Sequence, residues 1–362
     1  MHDCAEFIIF AVITNIHTLL RMANILVTRF SALGDVAMTV CVLKAFADTY
    51  PDHHITLLSR PFVAPLLEGL PENVHFRPVN LNDYKGLRGL SHLSRELRQE
   101  GFDMIADFHD VLRTKILRIC FKLAGLPVAV IDKGRRERKL LTRAKGKQLR
   151  QLKTSQQRYA DVLAKLGFPV ELRPYRIYSP APADISDLIG ITGKPEGDRW
   201  VGIAPFAAHE GKIYPLPLMQ QVVEKFAALP QVKVFLFGNG DKERAWCEQF
   251  RLPNVISMVG KTNLQKELRL MSNLRVMLTM DSANMHLAAL AGVPTLSIWG
   301  ATHPFAGFTG LQAEGSRQLQ LDLDCRPCSI FGNKACARGN CPCLTGITPD
   351  QVVNTLKQYL CP

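Results

Sequence analysis

Nowhere does the chain carry an uninterrupted apolar run of the roughly 18 or more residues that a membrane-spanning helix needs. The early apolar run at residues 7–13 is too short to span, and Asp3 and Glu6 precede it where an export signal carries basic residues. Without an export signal the ten cysteines are expected as mostly reduced thiols of a cytoplasmic protein. Residues 1–21 read as an extension without function, with Met22 as a candidate start directly before a clean strand. There is no internal repeat of short fixed period, which excludes a solenoid. Glycine and proline are scattered and not clustered, which argues against low complexity and disorder. The first strand is not followed by G-x-G-x-x-G, and the second ends in Ser59-Arg60 without an acid, which disfavours a nicotinamide-dependent oxidoreductase.

What is present is a globular chain of 362 residues, 47% hydrophobic and 21% charged, about twice the usual size of one domain. Its formal charge of +12 is concentrated. Ten Lys or Arg residues lie between Lys133 and Lys153 against one acid, Glu137, so this stretch holds nine of the twelve excess charges. Such a block reads either as a solvated surface loop or as an anion site. It contains no aromatic residue on which single-stranded nucleic acid would stack, so a phosphate-bearing acceptor or an anionic membrane surface suits it better.

Short apolar runs at 24–29, 55–59, 74–79, 104–108 and 128–131 alternate with helical periodicity, which predicts a β-α-β order and a parallel sheet. The first of them runs through a short turn into an apolar-periodic helix reaching about residue 49. A helix over 155–166 leads to a stretch containing Pro169, Pro174, Pro180, Pro182 and Pro195, where the domain junction is expected. The rhythm then restarts, with strands at 200–204, 232–237, 255–258, 276–280 and 295–299, and ends in a helix over 349–360. Two doubly wound α/β domains follow, with ligands expected beyond the carboxyl ends of the strands. The loops after Arg29, Ala204, Phe237, Met280 and Trp299 are therefore expected to face a shared cleft.

Those loops hold the unusual residues. Met280-Asp281-Ser282-Ala283-Asn284-Met285-His286 reads as a strand end, a polar turn and a helix start. Ser282 suits the N-cap, and the free N–H groups of the first turn suit a phosphate. Asp281 is an anion at an anion site, so it is better placed to accept hydrogen bonds from sugar hydroxyls or simply to cap the helix. Phe237-Gly238-Asn239-Gly240-Asp241-Lys242-Glu243 lies where doubly wound folds set a carboxylate against ribose, and Asp241 and Glu243 both qualify. Cys325, Cys328, Cys336, Cys341 and Cys343 lie close together. Cys325 and Cys328 have the C-x-x-C spacing of a zinc ligand pair, to which Cys336 and Cys341 would add two thiolates. With no second C-x-x-C, reduced thiols in a compact loop are expected ahead of zinc.

Asp281 to Ala288, with Gly292-Val293-Pro294 and Trp299-Gly300-Ala301-Thr302-His303-Pro304, resembles glycosyltransferase family 9, which includes the ADP-heptose:lipopolysaccharide heptosyltransferases. Arg29-Phe30-Ser31-Ala32-Leu33-Gly34-Asp35-Val36 looks like that family's first loop. The resemblance implies a GT-B arrangement of two Rossmann-like domains facing a central cleft, and an inverting transfer. It makes Asp35 the general base, with an N-cap role as the plainer alternative. It makes Lys212, in Ala207-Ala208-His209-Glu210-Gly211-Lys212, the cation that meets the donor phosphates, so that no metal or other cofactor is needed. Ala207 and Ala208 replace the hydroxyl residues frequent there, leaving backbone N–H groups for any contact. Gly300 and Thr302 match the loop that closes over the donor.

The division expected is an extension at 1–21, an acceptor domain at 22–180 with the basic stretch 133–153, a nucleotide-sugar domain at 181–348 with the cysteine-rich segment 325–343, and a C-terminal helix at 349–362. Donor contacts are expected from Asp281, Ser282, Ala283, Asn284, Met285, His286, Asp241, Glu243, Gly300 and Thr302. Arg135, Arg136, Arg138 and Lys139 are expected to meet a phosphorylated glycolipid acceptor at the cytoplasmic face of the inner membrane. The substrate implied is a nucleotide sugar such as ADP-heptose. An epimerase would use the same donor without an acceptor. A nucleic-acid binder would account for the charge but leave Asp35, Lys212 and Asp281 idle.

Overall fold

The computed structural model describes residues 22–194 and 197–360. The extension at 1–21, Pro195 of the proline-rich stretch and the last two residues of the expected C-terminal helix fall outside them. The first half forms one sheet from β1 (Asn24–Thr28), β2 (His54–Ser59), β3 (Val74–Pro78), β4 (Met104–Asp107) and β5 (Val128–Val130), in the order β3-β2-β1-β4-β5. The second half forms another from β6 (Arg199–Ala204), β7 (Val232–Leu236), β8 (Val255–Ser257), β9 (Val276–Met280), β10 (Thr295–Ile298) and β11 (Arg317–Leu319), in the order β11-β10-β9-β6-β7-β8. Every pairing is parallel. Both orders reverse direction beside their first strand, which opens a crevice at the strand ends. Central strands such as β9, VMLTM, are buried throughout because helices cover both faces of a parallel sheet.

The helices are α1 (Leu33–Thr49), α2 (Gly86–Gln99), α3 (Leu112–Leu123), α4 (Arg135–Leu141), α5 (Ser155–Lys165), α6 (Leu216–Ala227), α7 (Asp241–Glu248), α8 (Leu264–Met271), α9 (Ala283–Leu290) and α10 (Pro349–Lys357), with shorter turns between them. Two of them, α1 and α9, are apolar on nearly every side, and a helix of that kind belongs inside. They pack together between the two sheets, and one core cluster takes in Val40, Leu43 and Phe46 of α1, Leu287 and Leu290 of α9, and Trp200 and Phe235 of the second sheet. Burying side chains of this size contributes about 1.5–3 kcal/mol each, and Leu43→Ala would cost about 2–5 kcal/mol.

The contact between the two helices needs Gly34. A Cβ there would lie 3.0 Å from His286 Cδ2 and 3.1 Å from the Ala283 Cα, so even alanine would push the helices apart. The N-termini of α1 and α9, one from each half, are thus held side by side at the floor of the crevice. At the other end α10 packs on α6 and completes the second core with Val352, Val353 and Leu356. No helix among the described residues is long and apolar enough to cross a membrane.

Candidate active site

A cleft of about 590 Å³ lies between the halves, within the usual range for small-molecule sites. Leu33, Asp35, Met38 and Phe62 line it from the first half, and Phe206, Lys212, Glu243, Asp281, Asn284 and His286 from the second. Asp35 sits in the first turn of α1, where its Oδ2 accepts from the Ala32 N–H at 3.3 Å and pairs closely with the Arg29 guanidinium. It therefore back-bonds to the residue at the N-cap position and is not the N-cap itself. Arg29 is buried, donates to the Phe108 carbonyl at 2.8 Å, and lies 5.8 Å from the Tyr159 ring. Beside them the His109 ring meets Ser31 Oγ at 3.4 Å. Burial, with Arg29 and Lys133 nearby, pushes its pKa down to about 4 and leaves it neutral.

Across the cleft Lys212 rises from the helical turn after β6, with its Nζ 2.9 Å from Asp281 Oδ2. Asp281 directly follows β9 in a buried position. Ser282 does occupy the N-cap position of α9, but its hydroxyl lies 3.2 Å from Thr279 Oγ1 and does not cap the helix. The first-turn N–H groups therefore face the cleft without a side-chain cap. Ala283, Asn284 and His286 line the cleft, whereas Met285 is buried away from it. Burial pushes His286 down to about 4 against the opposing pull of Asp281 and Asp35, so it is a neutral ring.

The structure separates the two acids of the 237–243 segment. Asp241 is 99% exposed and points to Arg244 at 3.8 Å, whereas Glu243 lines the cleft and accepts from the Asn239 N–H at 2.7 Å. Burial raises the Glu243 pKa. The loop after Trp299 does not behave as expected, since neither Gly300 nor Thr302 lines the cleft. Gly300 backs the Lys212 turn, where a Cβ would lie 2.7 Å from the Gly211 carbonyl, and Thr302 is fully buried. Both of their carbonyls accept from Arg326. Further along, Phe308 does reach the cleft. The loop after β8, for which no role was anticipated, supplies Gly260 and Thr262.

The basic stretch is a built strap. It begins with α4, and Lys147 donates to the Asp324 and Arg326 carbonyls at 2.8 and 2.6 Å. Leu141 and Leu152 pack with Ala306, Phe305, Phe308 and Ile330 of the second half. Arg135, Arg136 and Lys139 are exposed, while Arg138 lies 4.6 Å over the Phe308 ring at the cleft edge. Burial, with Arg158 nearby, pushes Arg138 down to about 10.

Cys325, Cys328, Cys336, Cys341 and Cys343 are free and surround a void of about 50 Å³. Among the described residues no three His, Cys, Asp or Glu side chains are grouped to hold a metal ion. The segment also buttresses the site, because the Gly332 carbonyl accepts from the Gly211 N–H at 3.1 Å, directly before Lys212.

Sequence reasoning missed Arg29, His109 and Phe308. Arg29 reads as a strand end, and nothing local announces that His109, just after the neighbouring strand β4, lies close to it and accepts from the Phe30 N–H at 3.4 Å.

The family model described as glycosyltransferase family 9 (heptosyltransferase) matches residues 90–335, well over half of the chain. Lipopolysaccharide heptosyltransferase 1 of Pseudomonas aeruginosa is 23% identical over 321 residues, covering 84% of this chain and 86% of that protein. Lipooligosaccharide heptosyltransferase 2 of Campylobacter jejuni is 27% identical over 133 residues, covering 35% of this chain and only 40% of its own length. In structure the chain is similar to a family 9 glycosyltransferase from Veillonella parvula, with TM-score 0.70 and 20% identity over 93% of this chain and 97% of that one. It is also similar to ADP-heptose lps heptosyltransferase II of E. coli, with TM-score 0.66 and 18% identity over 93% and 98%. These likenesses show the two-domain GT-B fold.

Proposed function

The chain belongs to glycosyltransferase family 9, and we propose that it is an inverting transferase moving a heptose from ADP-heptose onto lipopolysaccharide core or a related surface glycan. One observation carries this: a carboxylate from the first half and a lysine–aspartate pair from the second face each other across a single cleft of sugar-nucleotide size.

The Asp35 carboxylate takes the proton from an acceptor hydroxyl as that oxygen attacks the anomeric carbon. The new C–O bond forms on the face opposite the bond to the diphosphate, which breaks as the nucleotide leaves with the electron pair. Arg29 fixes the carboxylate in direction. The Lys212 ammonium and the first-turn N–H groups of α9 receive the charge building on the diphosphate, a task that needs no metal when a cation is already in place. Asp281 orients Lys212 and accepts from sugar hydroxyls, and Glu243 accepts from the ribose. The strap, with Arg138 innermost, holds the phosphates of a glycolipid acceptor and brings the enzyme to an anionic membrane surface.

The test is a panel of nucleotide sugars read by melting temperature, followed by transfer assays with the best one. ADP-heptose should raise the melting temperature most and be consumed only when a phosphorylated glycolipid acceptor is added. Consumption without acceptor would replace transfer by epimerisation, and no stabilisation by any nucleotide sugar would remove the assignment.

A further inference from the structure

Four carboxyl groups line the cleft: Asp35, Glu243, Glu267 and Asp281. Three have tasks in the transfer, and Glu267 has none. Its position follows from the order of the second sheet, in which β9, β6, β7 and β8 lie side by side. The diphosphate site belongs to the ends of β9 and β6, where α9 and Lys212 stand, and the ribose acid Glu243 follows β7. The next strand in that direction is β8. Neighbouring strands are about 4.8 Å apart, so the step from β9 to β8 covers about 14 Å. This is the direction in which an extended nucleotide, leaving its phosphates at β9, would bring its base.

What stands at that end is a pocket suited to a flat ring. Gly260 and Thr262 come from the loop after β8, Leu264 and Glu267 from the first turns of α8, and Phe62, about half exposed, reaches in from the first half. Apolar walls with a small number of polar groups set among them are the usual design of a specificity pocket. Among the described residues, Thr262 Oγ1, at 3.4 Å from Oε1, is the one hydrogen-bond partner of the Glu267 carboxyl and no cation pairs with it, the neighbouring Lys266 being paired with Asp187.

We propose that Glu267 selects the nucleobase of the donor, accepting a hydrogen bond from an exocyclic amine and so favouring a base that carries one, as adenine does. The proposal rests on the nucleotide-sugar function above. Burial pushes the carboxyl pKa up to about 7, so at about pH 8.5 the group is ionised and can only accept. A base without the amine then covers the carboxylate while leaving it only the Thr262 hydroxyl as a partner, and it is this under-paired state that gives the discrimination.

The probes are ADP and purine riboside diphosphate, which differ only in the amine, titrated by calorimetry at about pH 8.5 into the wild-type protein, Glu267→Leu and Glu267→Gln. The wild type should bind ADP about tenfold or more tightly over the amine-free analogue, the range expected for one hydrogen bond to a charged acceptor. In Glu267→Leu that ratio should fall below about threefold through weaker ADP binding, with the analogue little changed. Glu267→Gln keeps shape and a neutral acceptor and should give an intermediate ratio, which carries the test if the leucine variant fails to fold. An unchanged ratio, or equal weakening of both nucleotides, would reduce Glu267 to a fastener of the Thr262 loop and overturn the proposal while leaving the transferase intact. Failure of the wild type to bind either nucleotide would overturn the donor assignment itself, and the base selector with it.

Discussion

The loops after β1 and β6 occupy the same place in their sheets, beside the strand where the order reverses, and each supports one ion pair at the cleft. The pairs are built in opposite senses. In Arg29–Asp35 the cation is the buried member, with side-chain exposures of 9% and 29%. In Lys212–Asp281 the acid is buried deeper, at 14% and 4%. Each half therefore sinks one charge deeper as an anchor and leaves the other the more accessible at the cleft. The first half offers a carboxylate, which can take a proton, and the second an ammonium, which can meet an anion. In the proposed transfer, division of labour between acceptor activation and leaving-group stabilisation would follow from which partner is sunk.

The largest effect should come from the presented carboxylate. Asp35→Ala should lower kcat by about 10²- to 10⁴-fold, the usual share of a general base, with donor affinity nearly intact. Transfer rates and donor titration on the same preparation check this, and an active variant would show that the base lies elsewhere. The matching change on the other side, Lys212→Ala, should weaken donor binding and slow transfer by roughly 10²-fold, since an interaction with developing charge is lost. If donor titration is unchanged in that variant, the two halves do not divide the work in this way.

How much of this was legible depends on how local the determinants are. The central strands could be read because a parallel strand covered on both faces is a continuous apolar run. β11, RQL, could not, being a three-residue polar edge strand. Helix α4 was hidden in its own charge, because RRERKLL is set in place by Leu141 and by cross-cleft contacts of Leu152, not by an amphipathic pattern of its own. Asp241 and Glu243 were indistinguishable by type, yet two positions along a helix turn side chains to different faces, and only Glu243 can fold back to the Asn239 N–H and remain in the cleft. Arg29 and His109 illustrate the limit, since their meeting is made by the β1–β4 pairing across the sheet.

A smaller effect should separate the strap from both ion pairs. Neutralising Arg135, Arg136, Arg138 and Lys139 together should raise KM for a phosphorylated glycolipid acceptor while leaving ADP-heptose affinity within about twofold, because three of the four charges are exposed and act on a polyanion mainly through screened attraction. The loss should shrink as salt is raised. Equal weakening of donor and acceptor would mean the strap shapes the cleft through Phe308 instead of binding the acceptor.

Each half also buries one neutral histidine ring beside its pair, His109 in the first and His286 in the second, both held down to about 4 by burial. The sign of the consequence is fixed. An unfolded histidine titrates near 6.5, so below that pH the unfolded chain binds protons that the folded chain refuses. Stability contributed by the two rings is fully present above about pH 6.5 and is lost as the pH falls towards 4. Denaturant midpoints measured from about pH 7.5 down to pH 4.5 should therefore decline through this window. His286→Gln should flatten the decline, because the substituted side chain no longer gains a proton on unfolding. His303, also held down to about 4 by burial with Arg326 nearby, should keep part of the slope in that variant. A variant slope identical to that of the wild type would show that the ring beside the second ion pair is not kept neutral, and that the likeness between the two halves stops at their charges.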